Sequence, residues 1–120
     1  MANPNIVSVT TINGKTDATQ LTTSLANILD NSAGSSEVYK VNSIIAANTS
    51  SSITVGVDVA FLDSDNTAYY VIKNLDIPPD ASLIALDKNT QLYIEENRTL
   101  QAKASSGALV DLVISYEVIS

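Results

Sequence analysis

The stretch SITVGVDVAFLD, Ser52 to Asp63, sets an apolar side chain at every second position: Ile53, Val55, Val57, Val59 and Phe61. Successive side chains of a strand point to opposite faces, so this spacing predicts a strand with one face in a core. The alternate positions hold Thr54, Gly56, Asp58, Ala60 and Leu62, neither wholly greasy nor charged enough to belong to water. Of these, Thr54, Gly56, Ala60 and Leu62 are candidate interface residues, because small and apolar groups can lie against another sheet or another subunit. A solvated face that holds Thr and an occasional Leu is the simpler reading.

Working outward, the same period recurs. Ala108 to Val118 alternates Val110, Leu112, Ile114, Tyr116 and Val118 against Leu109, Asp111, Val113, Ser115 and Glu117. Glu37 to Asn48, a Thr-Ser-Ser-Ser tip and the opening stretch read as a hairpin of two long strands. A further strand spans Thr67 to Ile77, ended by Pro78-Pro79-Asp80, because proline has no N–H for a ladder. Shorter strands are expected at Ser82 to Leu86, Gln91 to Ile94 and Thr99 to Ala104. Asn5 to Ile12 reads as a first strand closed by the turn dipeptide Asn13-Gly14. Ser24 to Asp30 alternates as a strand, but Leu21, Leu25, Ile28 and Leu29 also fit helical spacing, and both readings stand. About eight or nine short strands with no βαβ period predict an all-β fold, an antiparallel two-sheet β-sandwich of jelly-roll type. Residues 1–20 are expected to form an N-terminal strand or arm, and residues 21–120 the sandwich.

Composition bounds the function. The 120 residues fit one domain, with 45% hydrophobic and 16% charged residues and a net charge of −7. The acidic residues never form a block and the six basic ones are scattered, so no nucleic-acid partner is expected, since phosphate binding needs clustered Lys and Arg. No apolar run approaches the ~20 residues of a membrane span. The opening Met-Ala-Asn-Pro-Asn has no basic region followed by an apolar run, so synthesis in a cytoplasm and no membrane partner are expected. Asn48-Thr49-Ser50 and Asn97-Arg98-Thr99 match the glycosylation pattern, and without a secretory signal neither is expected to be used.

The chain holds no His, Cys or Trp. That removes the commonest general base, the thiolate nucleophile and the usual transition-metal ligands, so no catalytic residue and no cofactor are assigned. Glu95 and Glu96 are adjacent, and adjacent strand residues face opposite ways, so they read as a solvated turn. Asp63 and Asp65 are Ca²⁺ candidates, because alternating oxygen ligands in a loop suit that ion. The same residue types favour an ordinary turn, and the glycine and later Glu of an EF-hand loop are missing. Asp87-Lys88-Asn89-Thr90 reads as a turn. Tyr69, Tyr70, Tyr93 and Tyr116 are candidates for a glycan-stacking platform, against the plainer reading of cross-strand packing.

Five segments carry a family resemblance. VYKVNSIIAANTSSSITV (Val38 to Val55) resembles a strand ending in Ala-Asn, a Ser/Thr-rich tip and a returning β-branched strand. IPPDASL (Ile77 to Leu83) is similar to a "Val-Pro-Ala-Gly-Ala-Ser-Leu" turn. DKNTQLYIEEN (Asp87 to Asn97) is similar to a "Leu-Glu-Glu-Gly-Asp" approach to the next strand, and LQAKAS (Leu100 to Ser105) with VISYE (Val113 to Glu117) completes the pattern. From about Leu21 to its end the chain thus resembles the small β-sandwich virion proteins of tailed bacteriophages, cyanophages in particular. Asp80 and Asn97 stand where that family usually has glycine. The resemblance implies a non-enzymatic virion protein made in the host cytoplasm. Its expected role is capsid decoration (cement) protein, bound to the major capsid protein or other virion proteins as a homo-oligomer, a trimer at a local threefold. A neck, baseplate or tail-fibre component is the alternative, and a glycan-binding module a further one.

Overall fold

The computed structural model describes residues 11–87 and 92–120. Among them are nine strands and no helix: β1 (Ile12–Gln20), β2 (Ala26–Asn31), β3 (Val38–Asn48), β4 (Val55–Leu62), β5 (Ala68–Ile77), β6 (Ser82–Leu86), β7 (Leu92–Ile94), β8 (Arg98–Ala104) and β9 (Val110–Ile119). Sheet I runs β1-β9-β3-β6, with β7 also on β3, and sheet II runs β2-β8-β4-β5. The pairs β1 with β9, β2 with β8, β3 with β6 and β7, and β4 with β5 form one antiparallel ribbon. Pairing of β9 with β3 and of β8 with β4 rolls that ribbon into two layers. The result is the jelly-roll sandwich expected from the period-two pattern.

The core lies between the layers. Val110, Leu112, Ile114, Tyr116 and Val118 of β9 pack with Val41, Ile44 and Ala46 of β3 on one side. Val55, Val57 and Val59 of β4 and Leu100, Ala102 and Ala104 of β8 form the other. Burial of this kind contributes about 25 cal/mol per Å² of apolar surface, so the two central strands of each sheet hold the layers together.

The hairpin expected between Glu37 and Asp63 is not formed. β3 belongs to sheet I and β4 to sheet II, so Asn48 to Val55 is an arch between layers. Its backbone is held by Asn48 N donating to Ala81 O (2.8 Å), Thr49 N to Leu109 O (2.7 Å) and Asp80 N to Ser50 O (2.9 Å). Ile53 stays in that arch, 47% exposed. Both flanking strands carry one apolar face, and a strand with one apolar face suits either layer of a sandwich. The hairpin of the ribbon's tip lies one connection later, where Leu62 pairs with Ala68.

Asn13-Gly14 is not a turn either. Asn13 pairs with Val118 and Gly14 with Glu117 inside the β1–β9 ladder, because long-range pairing outcompetes a local turn tendency. The start of the expected first strand, Asn5 to Thr10, lies outside the described residues, as do Gln91 and the Lys88 to Thr90 part of the expected turn. Ser24 to Asp30 resolves as strand β2, with a bulge between Asn27 and Leu29. Asp80 and Asn97 both sit in the left-handed region at φ 56° and 59°, which Asp and Asn tolerate better than other side chains.

Candidate interaction surfaces

The outer face of β4 is covered by its own sheet. Gly56, Asp58 and Ala60 are buried although they point away from the core. β5 is bulged opposite β4, which places Asn74 at φ 54°, and its N–H donates to Asp58 Oδ1. Lys73 Nζ and Lys103 Nζ lie 3.4 and 3.8 Å from Asp58 Oδ2, and Lys73 Nζ lies 4.3 Å from the Tyr70 ring centroid. Paired charges with a hydrogen-bonded carboxylate are what allow Asp58 to be enclosed at all. A Cβ at Gly56 would collide with Asn74 Oδ1, so the glycine lets the covering side chains lie flat.

Of the residues read from the sequence as an interface, Gly56 and Ala60 lie beneath this layer, Leu62 is half-buried and Thr54 is exposed. Beside them is an open depression of about 200 Å³ lined by Thr23, Asp58, Asn74, Lys103 and Ser105. The rest of the face is laced across strands, Thr99 Oγ1 donating to Asp30 at 3.0 Å and Gln101 Nε2 to Asn27 at 2.9 Å.

Sheet I presents a different outer face. Across its strands, Ala18 pairs with Val113, Val113 with Ile45, and Ile45 with Ile84. Side chains in such register touch, so the four form one apolar row, with Ile84 65% exposed. Flanking rows are small and mostly uncharged: Thr16, Ser115 and Ser43 on one side, and Gln20, Asp111, Ala47 and Ser82 on the other. The next row reads Gly14, Glu117, Lys40, Tyr93. An open depression of about 270 Å³ lies on this face beside Gly14, lined also by Thr16, Asn42, Ser115 and Glu117. Asn42 Nδ2 donates to Glu117 at 3.1 Å. Asn42 Oδ1 is the one buried side-chain polar atom without a partner among the described residues.

The sequence candidates for chemistry separate in space. Asp63 Oδ1 accepts from Asp65 N (2.9 Å) and Thr67 N (3.0 Å), so that carboxylate oxygen organises the β4–β5 turn, which Asn66 completes at φ 62°. Among the described residues no three acidic groups gather as metal ligands. Glu95 is exposed and 3.9 Å from Arg98. Glu96 corrects the reading of a solvated pair, because it is buried and accepts from Ser36 N at 2.7 Å.

The four tyrosines do not share a platform. Tyr69 and Tyr70 are on β5 of sheet II, Tyr93 on β7 and Tyr116 on β9 of sheet I. Tyr116 points into the core, its ring 5.7 Å from that of Tyr39, and its hydroxyl donates to Asp17 Oδ2 at 2.7 Å. Burial, with the Asp17 carboxylate second, pushes the Tyr116 phenol up to about 12. Burial also raises Tyr39. An unfolded phenol ionises near 10, so the folded state binds its proton more tightly. The resulting stability is intact below pH ~10 and is lost as pH rises toward ~12. Urea unfolding at about pH 9 and about pH 11 should show wild-type stability falling between them, and less so for Tyr116→Phe. Equal losses in the two proteins would disprove the assignment.

No family model matches the chain, and no curated protein does. Among solved structures, it is similar to a subunit of the disulfide-linked pili of Bacillus endospore appendages, at 12% identity over 99% of this chain and 96% of that one, with a TM-score of 0.53. A pentameric capsid protein from metagenomic phage sequences overlaps 88% of this chain and 61% of its own, at 12% identity and a TM-score of 0.43. The infectious bursal disease virus Gt strain structure overlaps 91% of this chain and 32% of its own, at 11% identity and a TM-score of 0.37. At such identities a likeness bears on the fold alone, and the first of them agrees with the two-layer β architecture.

Proposed function

We propose that the chain is a non-enzymatic structural protein of a tailed-phage virion, a capsid decoration (cement) protein that bridges major capsid subunits as a homo-oligomer, a trimer at a local threefold. The observation that carries this reading is the placement of the exposed apolar side chains. Apart from Ile53 in the arch, they gather on two separate surfaces of the sandwich: the outer face of sheet I, and the β5 edge of sheet II with Tyr69, Tyr70 and Val71. A protein that bridges subunits needs one surface for its own kind and another for the shell.

Among the described residues β5 has β4 as its one neighbour in the sheet, and its outer edge there offers backbone groups together with Tyr69, 58% exposed. Edge strands and exposed aromatics are common anchors for a partner. Thr54 and Leu62, at the two ends of β4, border this edge and join the proposed contact. The resemblance of the chain, from about Leu21 to its end, to phage virion sandwiches supports the virion. The chain has no cysteine, so the disulfide linkage of the spore-appendage pili does not carry over.

Cementing acts by mass action: any contact that exists in the intact shell and is lost on rupture stabilises the shell. Shells assembled with and without this protein test it. Those carrying it should withstand higher temperature and stronger osmotic shock, and unchanged resistance would refute cementing. Stoichiometry separates the neck, baseplate and fibre stations, because decoration requires copies in step with the major shell protein and the other stations only a small fraction of that.

A further inference from the structure

We infer that the outer face of sheet I is a self-complementary interface, on which a second copy of this chain docks about a two-fold axis. The axis lies in the contact plane, parallel to the strands and midway between β9 and β3. It follows from cross-strand register alone. A two-fold of this kind leaves height along the strands unchanged and exchanges left for right, so each residue meets the one at its own height on the opposite side of the sheet.

Four matches result. In the apolar row, Ala18 at one end faces Ile84 of the second copy at the other, small against large, and Val113 faces Ile45. One row nearer the start of β3, Glu117 faces Lys40 of the second copy and Lys40 faces its Glu117, two opposite-charge pairs from one register. In the same row Gly14 faces Tyr93 of the second copy. Gly14 has open space where a side chain would stand and borders the depression of about 270 Å³, so that ring has a hole to enter. Its hydroxyl is the donor that Asn42 Oδ1, on the wall of the same depression, lacks. An unsatisfied buried acceptor is uncommon in a finished structure.

Charge favours this face over the other. Charged groups are costly to bury, and the apolar row with its two flanking rows on sheet I carries Asp111 alone, whereas the outer side of sheet II carries Asp30, Asp58, Lys73, Asp76 and Lys103. With strands ~4.8 Å apart and a rise of ~3.4 Å per residue, the face measures about 19 by 27 Å, roughly 500 Å². A standard stable interface buries about 800 Å² per partner. The pairing therefore belongs to the weak class, formed at high local concentration such as on an assembling surface, and it leaves the β5 edge open for the shell.

Exchange of the two charges tests it on the full chain by sedimentation equilibrium. Wild type is expected to pair. Lys40→Glu alone sets two glutamates against two glutamates, and Glu117→Lys alone sets lysines against lysines, so each should weaken pairing at least about tenfold. An equimolar mixture of the two variants restores both opposite-charge pairs between copies but not within either chain, and should pair nearly as tightly as wild type. Ile84→Lys, a change at an exposed position that leaves the core alone, should abolish pairing. A wild type that remains single up to millimolar concentration, a single charge variant that pairs undiminished, or a mixture no tighter than its components would overturn the interface. Because no shell protein is present, failure here leaves the cement reading untouched.

Discussion

Asn48→Ala is expected to lower the unfolding free energy by about 3 to 5 kcal/mol, although the replaced side chain is polar and closes a strand. Asn48 is 2% exposed. Its Nδ2 donates to Ile53 O at 2.7 Å and to Ile77 O at 2.9 Å, and its Oδ1 accepts from Ser50 N at 2.9 Å. These three backbone groups belong to the arch between layers and to the end of β5, where no ladder can satisfy them. Each buried group left without a partner costs about 1–3 kcal/mol, more than the net value of the bond that served it. For a chain of this length the loss corresponds to roughly 10–20 °C in Tm. Asn48→Asp keeps the shape but turns a carboxylate oxygen toward two carbonyls, so it should be at least as costly at neutral pH. Urea unfolding measures both, and a loss under about 1 kcal/mol for the alanine variant would show that the arch is held by something else. Asn31 plays the matching part where the chain crosses the other way, from sheet II to sheet I. It is fully buried, and its Nδ2 donates to Glu37 O and Ile94 O at 2.9 Å each.

Leu112→Ala should cost about 3 to 4 kcal/mol by a different route, the cavity it leaves. Leu112 is fully buried in the middle of β9, where it pairs with Ala46 of β3 and Thr19 of β1 and faces the valines of sheet II. Its neighbours are strands fixed by ladders on both sides, so collapse around the void is limited, and the cost falls in the upper half of the usual range. Asp111→Ala, one residue earlier and pointing to solvent, should change stability by no more than about 0.5 kcal/mol. Similar losses for the two variants would mean that β9 does not divide core from surface as its register requires.

Strand identity was readable in the residues because it is local. Period two in Val55 to Phe61 and in Val110 to Val118 follows from the backbone itself, and both stretches are strands with the expected side turned inward. The candidate surfaces were less legible. The mixed character of Gly56, Asp58 and Ala60 suggested a partner, and the partners are Lys73, Asn74 and Lys103 of neighbouring strands. No local signal places those side chains across β4, since the bulge in β5 that brings Asn74 to Asp58 depends on how two distant segments fall into register. The apolar row on sheet I was invisible for the same reason, for Ala18, Ile45, Ile84 and Val113 are unremarkable singly and become a surface only when four strands align.

By itself the sequence determined an all-β chain with a single core, no cysteine chemistry and no histidine. Those conclusions need only composition and the alternation of the pleat. Which strands share a layer was decided by tertiary structure: β3 and β4 part into different sheets, and Asn13-Gly14 joins a ladder instead of turning. An amphipathic strand fits either layer equally well, and the choice rests on backbone pairing between residues far apart in the chain, such as Ile12 with Ile119.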